Sequence, residues 1–263
     1  MAERYPAVEP YESGMLGVTD GHRLYWEMCG ASDGTAAVYL HGGPGSGCTP
    51  GARRSFDPRS YRAVLFDQRG CGRSRPLASD GDADLSTNTT PHLIGDIERL
   101  REHLGIDRWV VVGAVPAAQR GGDLPAAYAR LLADPDPQMR AQAARQWCAW
   151  EDTHMSLTPG WAPSLSYRDP EFQLTFARLV THYWSQGCFL EEGQILAHMH
   201  RLADIPAVLI HGRYDVSGPM DTAWHLHRAW PNSKLVVLDD AGHGGGSFIS
   251  ELVGALDSFR ALR

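Results

Sequence analysis

Two glycine-rich loops and one pair of side chains hold the residue types from which a hydrolytic site is built. His41-Gly42-Gly43-Pro44-Gly45 follows directly on the apolar run Ala36 to Leu40. Without β-carbons, Gly42 and Gly43 can turn their backbone N–H groups toward a ligand oxygen, as an oxyanion hole requires. Taken alone, the same run is equally a Gly/Pro turn. Asp67-Gln68-Arg69-Gly70-Cys71-Gly72-Arg73-Ser74 follows the next apolar run, and the fork of Arg69 suits a clamp on carbonyls or carboxylates beneath a site. Asp215 and His243 each follow a further apolar run. A carboxylate after one strand and an imidazole after the next can work as orienter and proton carrier. Singly, each would more often be a helix cap or a surface residue; their order behind the HGGPG loop makes the pair specific.

The elements that must position these groups read as a β/α alternation. Met15 to Val18 and Arg23 to Cys29 flank Asp20-Gly21 and predict a hairpin. Ala36 to Leu40 and Arg62 to Phe66 are short apolar runs of the kind buried on both faces of a sheet. Pro91 to Leu104 has the spacing of an amphipathic helix and feeds a strand at Trp109 to Val112. Helices are predicted over Leu124 to Ala133, Pro137 to Trp150, Pro170 to Trp184 and Glu191 to Leu202. After them come strand Ala207 to His211, helix Met220 to Trp230, strand Lys234 to Leu238 and helix Ser247 to Leu262. The expected fold is α/β, with a mostly parallel sheet, helices on both faces and an inserted helical cap. The division is 1–114 for the first part of the core, 115–204 for the cap and 205–263 for the rest of the core.

Composition narrows the function classes. Apolar residues at 43% and charged residues at 21% are those of a soluble globule, and no apolar run approaches a membrane span. The net charge of −7 is spread without basic runs, so nucleic acid is not an expected partner. Lys234 is the sole lysine among 24 basic residues, a bias that suggests a GC-rich coding genome. Cys29, Cys48, Cys71, Cys148 and Cys188 are odd in number and widely spaced, which fits neither a disulfide framework nor a zinc site. With acidic residues and no apolar stretch at the N-terminus, a cytoplasmic location is expected. His198 with His200, and His225 with His227, point apart on the helices predicted for them, so no metal is expected.

HGGPG, DQRGCGRS, His211-Gly212-Arg213-Tyr214-Asp215, Ala241-Gly242-His243 and Trp147-Cys148-Ala149-Trp150-Glu151 together resemble the proline iminopeptidases, serine aminopeptidases of the α/β-hydrolase fold. The resemblance runs from about Tyr11 to about Arg260. It implies release of N-terminal proline from small peptides through a serine acyl-enzyme, without metal or cofactor. It also implies that Asp215 is the triad acid, His243 the base, Gly42 and Gly43 the oxyanion loop, and Glu151 the carboxylate that holds the substrate's ammonium. The aromatic cap residues Trp147, Trp150, Trp161 and Trp184 would wall the proline pocket or form cap core.

Two departures stand out. The serine elbow G-x-S-x-G should follow the strand at Trp109 to Val112, where this chain has Gly113-Ala114-Val115-Pro116-Ala117. No serine occurs between Ser86 and Ser156, and the text passes directly to the cap-like Gln119-Arg120-Gly121-Gly122-Asp123. A block of several tens of residues, with the elbow, a helix and a strand, is therefore expected to be missing and the sheet to be one strand short, unless helix Leu124 to Ala133 moves into the vacancy. Val180 stands where the family often has a second acidic residue, which leaves the amino end chiefly to Glu151. Ser46 and Ser74 lack the strained turn that exposes a nucleophile, and Cys71, Cys148 and Cys188 read as inert buried thiols. The alternative to an aminopeptidase is a non-catalytic proline- or peptide-binding protein on the same fold.

Overall fold

The computed structural model describes residues 4–81, 83–113, 124–155, 157, 162 and 164–260. Strand β1 (Glu12–Gly17) pairs antiparallel with β2 (Arg23–Gly30) around a turn in which Asp20 takes φ 62°, as the Asp-Gly signal predicts. β2 pairs antiparallel with β4 (Tyr61–Phe66), and β3 (Thr35–Leu40) runs parallel between β4 and β5 (Val110–Gly113). The resulting sheet has the order β1-β2-β4-β3-β5. A short α1 (Pro50–Arg53) lies between β3 and β4, and α2 (Thr90–His103) precedes β5.

Side chains alternate between two cores, as parallel strands covered on both faces require. Val38, Val64 and Phe66 point to one side, where Leu100 and Ile97 of α2 meet them with Leu24, Trp26 and Met28. Ala37, Ala63 and Leu65 point to the other, against Phe56, Tyr61 and Leu256. Leu256 belongs to α8 (Phe248–Phe259), the last helix. The alternation breaks at β5: Val112 is buried, but Val111, on the opposite face of the same strand, is 58% exposed. That face of β5 is left largely open among the described residues.

The cap is α3 (Leu124–Leu131), α4 (Pro137–Met155) and α5 (Pro170–Ser185), packed about Trp147, Cys148, Phe176, Ala177 and Val180. α3 packs against α4 and α5 in this cluster, so it does not occupy the place of a missing strand. Asp169 caps α5 by accepting the Glu171 N–H, with Pro170 in its first turn. Glu191 to Leu202 is not one helix: α6 (Gln194–Ala197) is followed by a separate 3-10 turn at Met199–Leu202, with Gly193 left-handed before them. The break brings the His198 and His200 rings to 6.2 Å, where one helix would have set them apart. Each ring instead bonds a nearby backbone carbonyl, of Gln194 and of Ala197.

β6 (Ala207–Gly212) and β7 (Ser233–Leu238), joined by α7 (Met220–Ala229), pair parallel with each other and form a second, two-stranded sheet. β5 and β6 do not pair. Where one continuous sheet is expected, the chain has two pieces, with α8 packed on β6 and reaching the first sheet through Leu252 and Leu256. The expected division at 114/115, the segment Ala114 to Asp123 and Trp161 lie outside the described residues. No helix among the described residues is long and apolar enough to cross a membrane.

Candidate active site

The loops after β6 and β7 bring Asp215 and His243 together because Gly212 has no side chain. A β-carbon there would lie 2.1 Å from the Gly242 carbonyl oxygen. The two loops are laced by Arg213 N–H to the Leu238 carbonyl and Tyr214 N–H to the Ala241 carbonyl. His243 Nδ1 donates to Asp215 Oδ2 at 2.9 Å, and the Gly218 N–H donates to Asp215 Oδ1 at 2.8 Å. Nδ1 is thereby the protonated ring nitrogen of the neutral tautomer, which leaves the Nε2 lone pair for a proton. The Asp215 side chain is 9% exposed and that of His243 50%, an acid tucked behind a base that meets solvent. Burial works against ionisation of Asp215, but the hydrogen bond and charge of His243 outweigh it and hold the carboxyl below its ordinary range. The hydrogen bond to Asp215 raises His243 in turn, with Glu151 adding to the effect.

Glu151 comes from α4, one helical turn beyond the buried Trp147. Burial pushes its carboxyl up to about 7, and the neighbouring His243 charge opposes the rise. Each of the two side chains shifts the other: Glu151 raises His243, and His243 opposes the rise of Glu151. Val180 is buried in the cap core beside Trp147 and Phe176, so no second carboxylate faces the site from that position. Trp147, Trp150 and Trp184 form one ring cluster inside the cap.

The HGGPG loop is fixed from below by His41. Its Nε2 accepts the Gln68 N–H at 3.0 Å and its Nδ1 donates to the Gly42 carbonyl at 3.0 Å. Burial keeps this imidazole neutral by lowering its pKa. Gly43 has φ 116°, and a β-carbon on it would sit 2.5 Å from the Gly45 nitrogen, so the turn requires glycine. Among the described residues, neither the Gly42 nor the Gly43 amide donates a hydrogen bond.

The DQRGCGRS loop is scaffolding. Arg69, fully buried, forks onto both oxygens of Asp96 at 2.7 Å and donates to the Thr87 carbonyl. Asp67 accepts the Cys48 and Arg73 N–H groups, and Arg73 also pairs with Glu27 and lies 3.7 Å over the Tyr25 ring. Ser74 is buried between the Tyr25 N–H and the Asp67 carbonyl, which removes it as a nucleophile. Burial pushes Cys29 up to about 11 and Cys48 and Cys148 up to about 12, with Cys71 well above its ordinary value, so these thiols are inert.

Sequence reading missed the buried Glu27–Arg53 pair, with Nε 2.8 Å from the carboxylate, and the role of Asn88, 1% exposed. A charged residue inside the apolar strand Trp26-Glu27-Met28 was the available signal for the first. Two clefts of about 330 and 290 Å³ border α5, lined respectively by Asp80, Arg145 and Glu171 and by Asp84, Arg178 and His182. Neither touches Asp215, His243 or Glu151, and the chemistry of the dyad outweighs the size of these clefts as a guide to the site.

Residues 37–114 match the family model of the alpha/beta hydrolase fold. A probable proline iminopeptidase of Streptomyces coelicolor is 42% identical over 97% of both chains, and the proline iminopeptidase of Xanthomonas citri is 38% identical over 98% of this chain and 100% of that one. That of Arabidopsis thaliana is 36% identical over 98% and 82%. The alignment with the Streptomyces protein spans 315 positions against 263 residues here, so the relative has several tens of residues without counterpart in this chain. Among solved structures, a hydrolase from Pseudomonas aeruginosa PA01 superposes with a TM-score of 0.71 at 17% identity, covering 95% of this chain and 99% of its own. A bromoperoxidase from Bacillus anthracis gives 0.67 at 15%, covering 96% and 100%. By its sequence relatives and its fold, this chain belongs to the proline iminopeptidase family of α/β-hydrolases.

Proposed function

We propose that the chain binds small peptides by an N-terminal proline and that His243, oriented by Asp215, is the base of their hydrolysis. Residues 1–114 and 205–263 form the core in this reading and 115–204 the cap, in a cytoplasmic protein. Glu151 meets the secondary ammonium of proline, a charge-assisted contact that an ionised carboxylate in a half-dry site favours. Gly42 and Gly43 receive the scissile carbonyl oxygen. The observation that carries the reading is the 2.9 Å bond from His243 Nδ1 to Asp215, with Glu151 close enough to His243 for each to shift the other.

Since no serine lies between Ser86 and Ser156, where the elbow after β5 would be, the nucleophile in this reading is water. His243 Nε2 takes a proton from the water as its oxygen attacks the carbonyl carbon. The same proton then passes to the leaving nitrogen as the C–N bond breaks, and free proline and the shortened peptide depart. Losing the serine of a triad costs about 10⁶ in turnover, and about 10³ to 10⁴ over the uncatalysed reaction remains from binding and the oxyanion hole; general-base action of His243 on water adds about 10² to that. Hydrolysis of a proline arylamide is thus expected far below that of a serine-bearing relative and dependent on His243. A rate unchanged in His243→Ala refutes the assignment.

The absence of any serine between Ser86 and Ser156 favours a second reading, a protein that binds without turnover. Calorimetric binding of prolinamide with no hydrolysis would establish it, and no binding would refute both readings.

A further inference from the structure

Asn88 is a buried polar side chain with no part in the chemistry above, yet it joins the cap to the loop beneath the oxyanion turn. Its Oδ1 accepts the Tyr183 hydroxyl of α5 at 2.7 Å, and its Nδ2 donates to the Arg69 carbonyl at 3.0 Å. Since the Arg69 carbonyl can only accept, the amide orientation is determined by its partners. His182 Nε2, also on α5, bonds the Asn88 carbonyl at 3.0 Å. Gly70 admits the Asn88 side chain: with φ 85° it has no β-carbon, and one would stand 2.9 Å from Nδ2.

From Arg69 the path continues without a gap. The neighbouring Gln68 gives its N–H to His41 Nε2 and its side-chain amide to the His41 carbonyl at 3.2 Å, and His41 Nδ1 holds the Gly42 carbonyl. Along the same stretch of α5, Phe176, Ala177 and Val180 pack in one cluster with Trp147 of α4, the helix that carries Glu151. Leu179 of α5 rests against Gly45. α5 therefore touches both ends of the site.

We infer that Asn88 and Tyr183 are positioning residues, which through His41 set the spacing between the Gly42–Gly43 turn and Glu151. The inference rests on the site reading given above. A buried hydrogen-bonded chain transmits such a constraint because each member has one arrangement that satisfies all its partners, and removing one leaves the next unsatisfied.

The test uses two ligands and one measurement that needs none. Pyrrolidine offers only the ammonium to Glu151; prolinamide adds the carbonyl that must reach Gly42 and Gly43. Tyr183→Phe removes a single hydroxyl. It is expected to raise the Kd of prolinamide about tenfold and leave that of pyrrolidine unchanged, with amide exchange of residues 41–47 about tenfold faster. Thr90→Val removes another cap-to-core bond, from Thr90 Oγ1 to the Cys188 carbonyl at 2.7 Å, that does not lead to His41, and both readouts should stay put. Equal weakening of both ligands in Tyr183→Phe overturns the inference, as does unchanged exchange at 41–47 or an equal effect of Thr90→Val. Wild-type protein that binds neither ligand overturns the site reading and the spacing drawn from it, whereas unchanged exchange with intact binding overturns the coupling alone.

Discussion

Glu151 offers a perturbation whose size follows from the structure. Burial raises its carboxyl from an ordinary 4.5 to about 7. Between those values the folded chain keeps a proton that the unfolded chain has released, so stability falls as pH rises through the window. At 1.36 kcal/mol per unit the whole loss is about 3 kcal/mol, a large share of the 5 to 15 kcal/mol typical of a domain. Glu151→Gln keeps the shape and abolishes the titration. Urea denaturation of both proteins at pH 4.5, 5.5, 6.5 and 7.5 measures the difference between them, in which the other titrating groups largely cancel. The wild type is expected to lose about 3 kcal/mol relative to the variant across the series, and the variant to be the more stable above pH 7. His243 titrates with Glu151, which broadens the transition without reversing its sign. Parallel profiles, or a wild type that gains on the variant with rising pH, would refute a buried carboxyl at this position. The same titration governs the proposed ligand: prolinamide, a cation, needs the ionised form, so its affinity should climb about tenfold per pH unit between 5 and 7.

Asp215→Asn should lower the residual hydrolysis of a proline arylamide by up to about 10², the share general-base action adds, because the acid selects the His243 tautomer that leaves Nε2 free; an unaffected rate, read from single-turnover assays, would remove Asp215 from the site. Asp96→Asn leaves the buried Arg69 charge only the more distant, part-exposed Asp20 at 3.6 Å and should cost about 3 kcal/mol in chemical denaturation, with a loss under 1 kcal/mol counting against the clamp. Gly72→Ala forces a β-carbon to 2.5 Å from the Asp67 carboxylate at φ 58° and should destabilise by about 2 kcal/mol or more, whereas Gly42→Ala meets no atom within 4 Å and should change stability by less than about 0.5 kcal/mol. With burial holding their thiols protonated, Cys29, Cys48, Cys71 and Cys148 should resist a disulfide reagent at pH 8 in the native state and react on unfolding; fast labelling of any of these four in folded protein would contradict the packing.

The parts of the fold visible in the sequence are those that local chemistry dictates. Apolar runs ending in glycine loops located β3, β4, β6 and β7, and Asp-Gly located the first turn. The Asp215–His243 pair was legible for a related reason: both residues follow strands, and parallel strands deliver the loops at their carboxyl ends to one edge. Glu191 to Leu202 misled because Ile195, Leu196, Met199 and Leu202 keep helical spacing. Periodicity does not register a left-handed Gly193 or the change of backbone at His198, φ −105°. Asn88 gave no signal at all, lying in Thr87-Asn88-Thr89-Thr90, whose polar residues read as an ordinary loop. Its partners lie 19 and 95 positions away, beyond any local pattern. The missing elbow was legible as a break in motif order, while the division of the sheet followed only from pairing.

That division changes what holds the dyad in place. In an unbroken sheet the ladder of hydrogen bonds would tie the loop after β6 to the loop after β3 as one rigid body. Here Asp215 and His243 ride on β6 and β7, and the ties back to the first sheet include α8 and the residue after it: the Tyr61 hydroxyl on the Leu256 carbonyl and Thr35 on the Arg260 carbonyl. Helix packing is softer against sliding than a strand ladder, and a misplacement of about 1 Å between base and oxyanion turn can cost about 10² in rate. The two pieces also become separate units of local opening, with β6, β7 and α8 expected to exchange their amides at a lower opening free energy than β3 and β4. In the proposed reaction, alignment of His243 with the bound peptide thus becomes a matter of thermal fluctuation, and a ligand that spans both pieces would serve as the strut the backbone lacks.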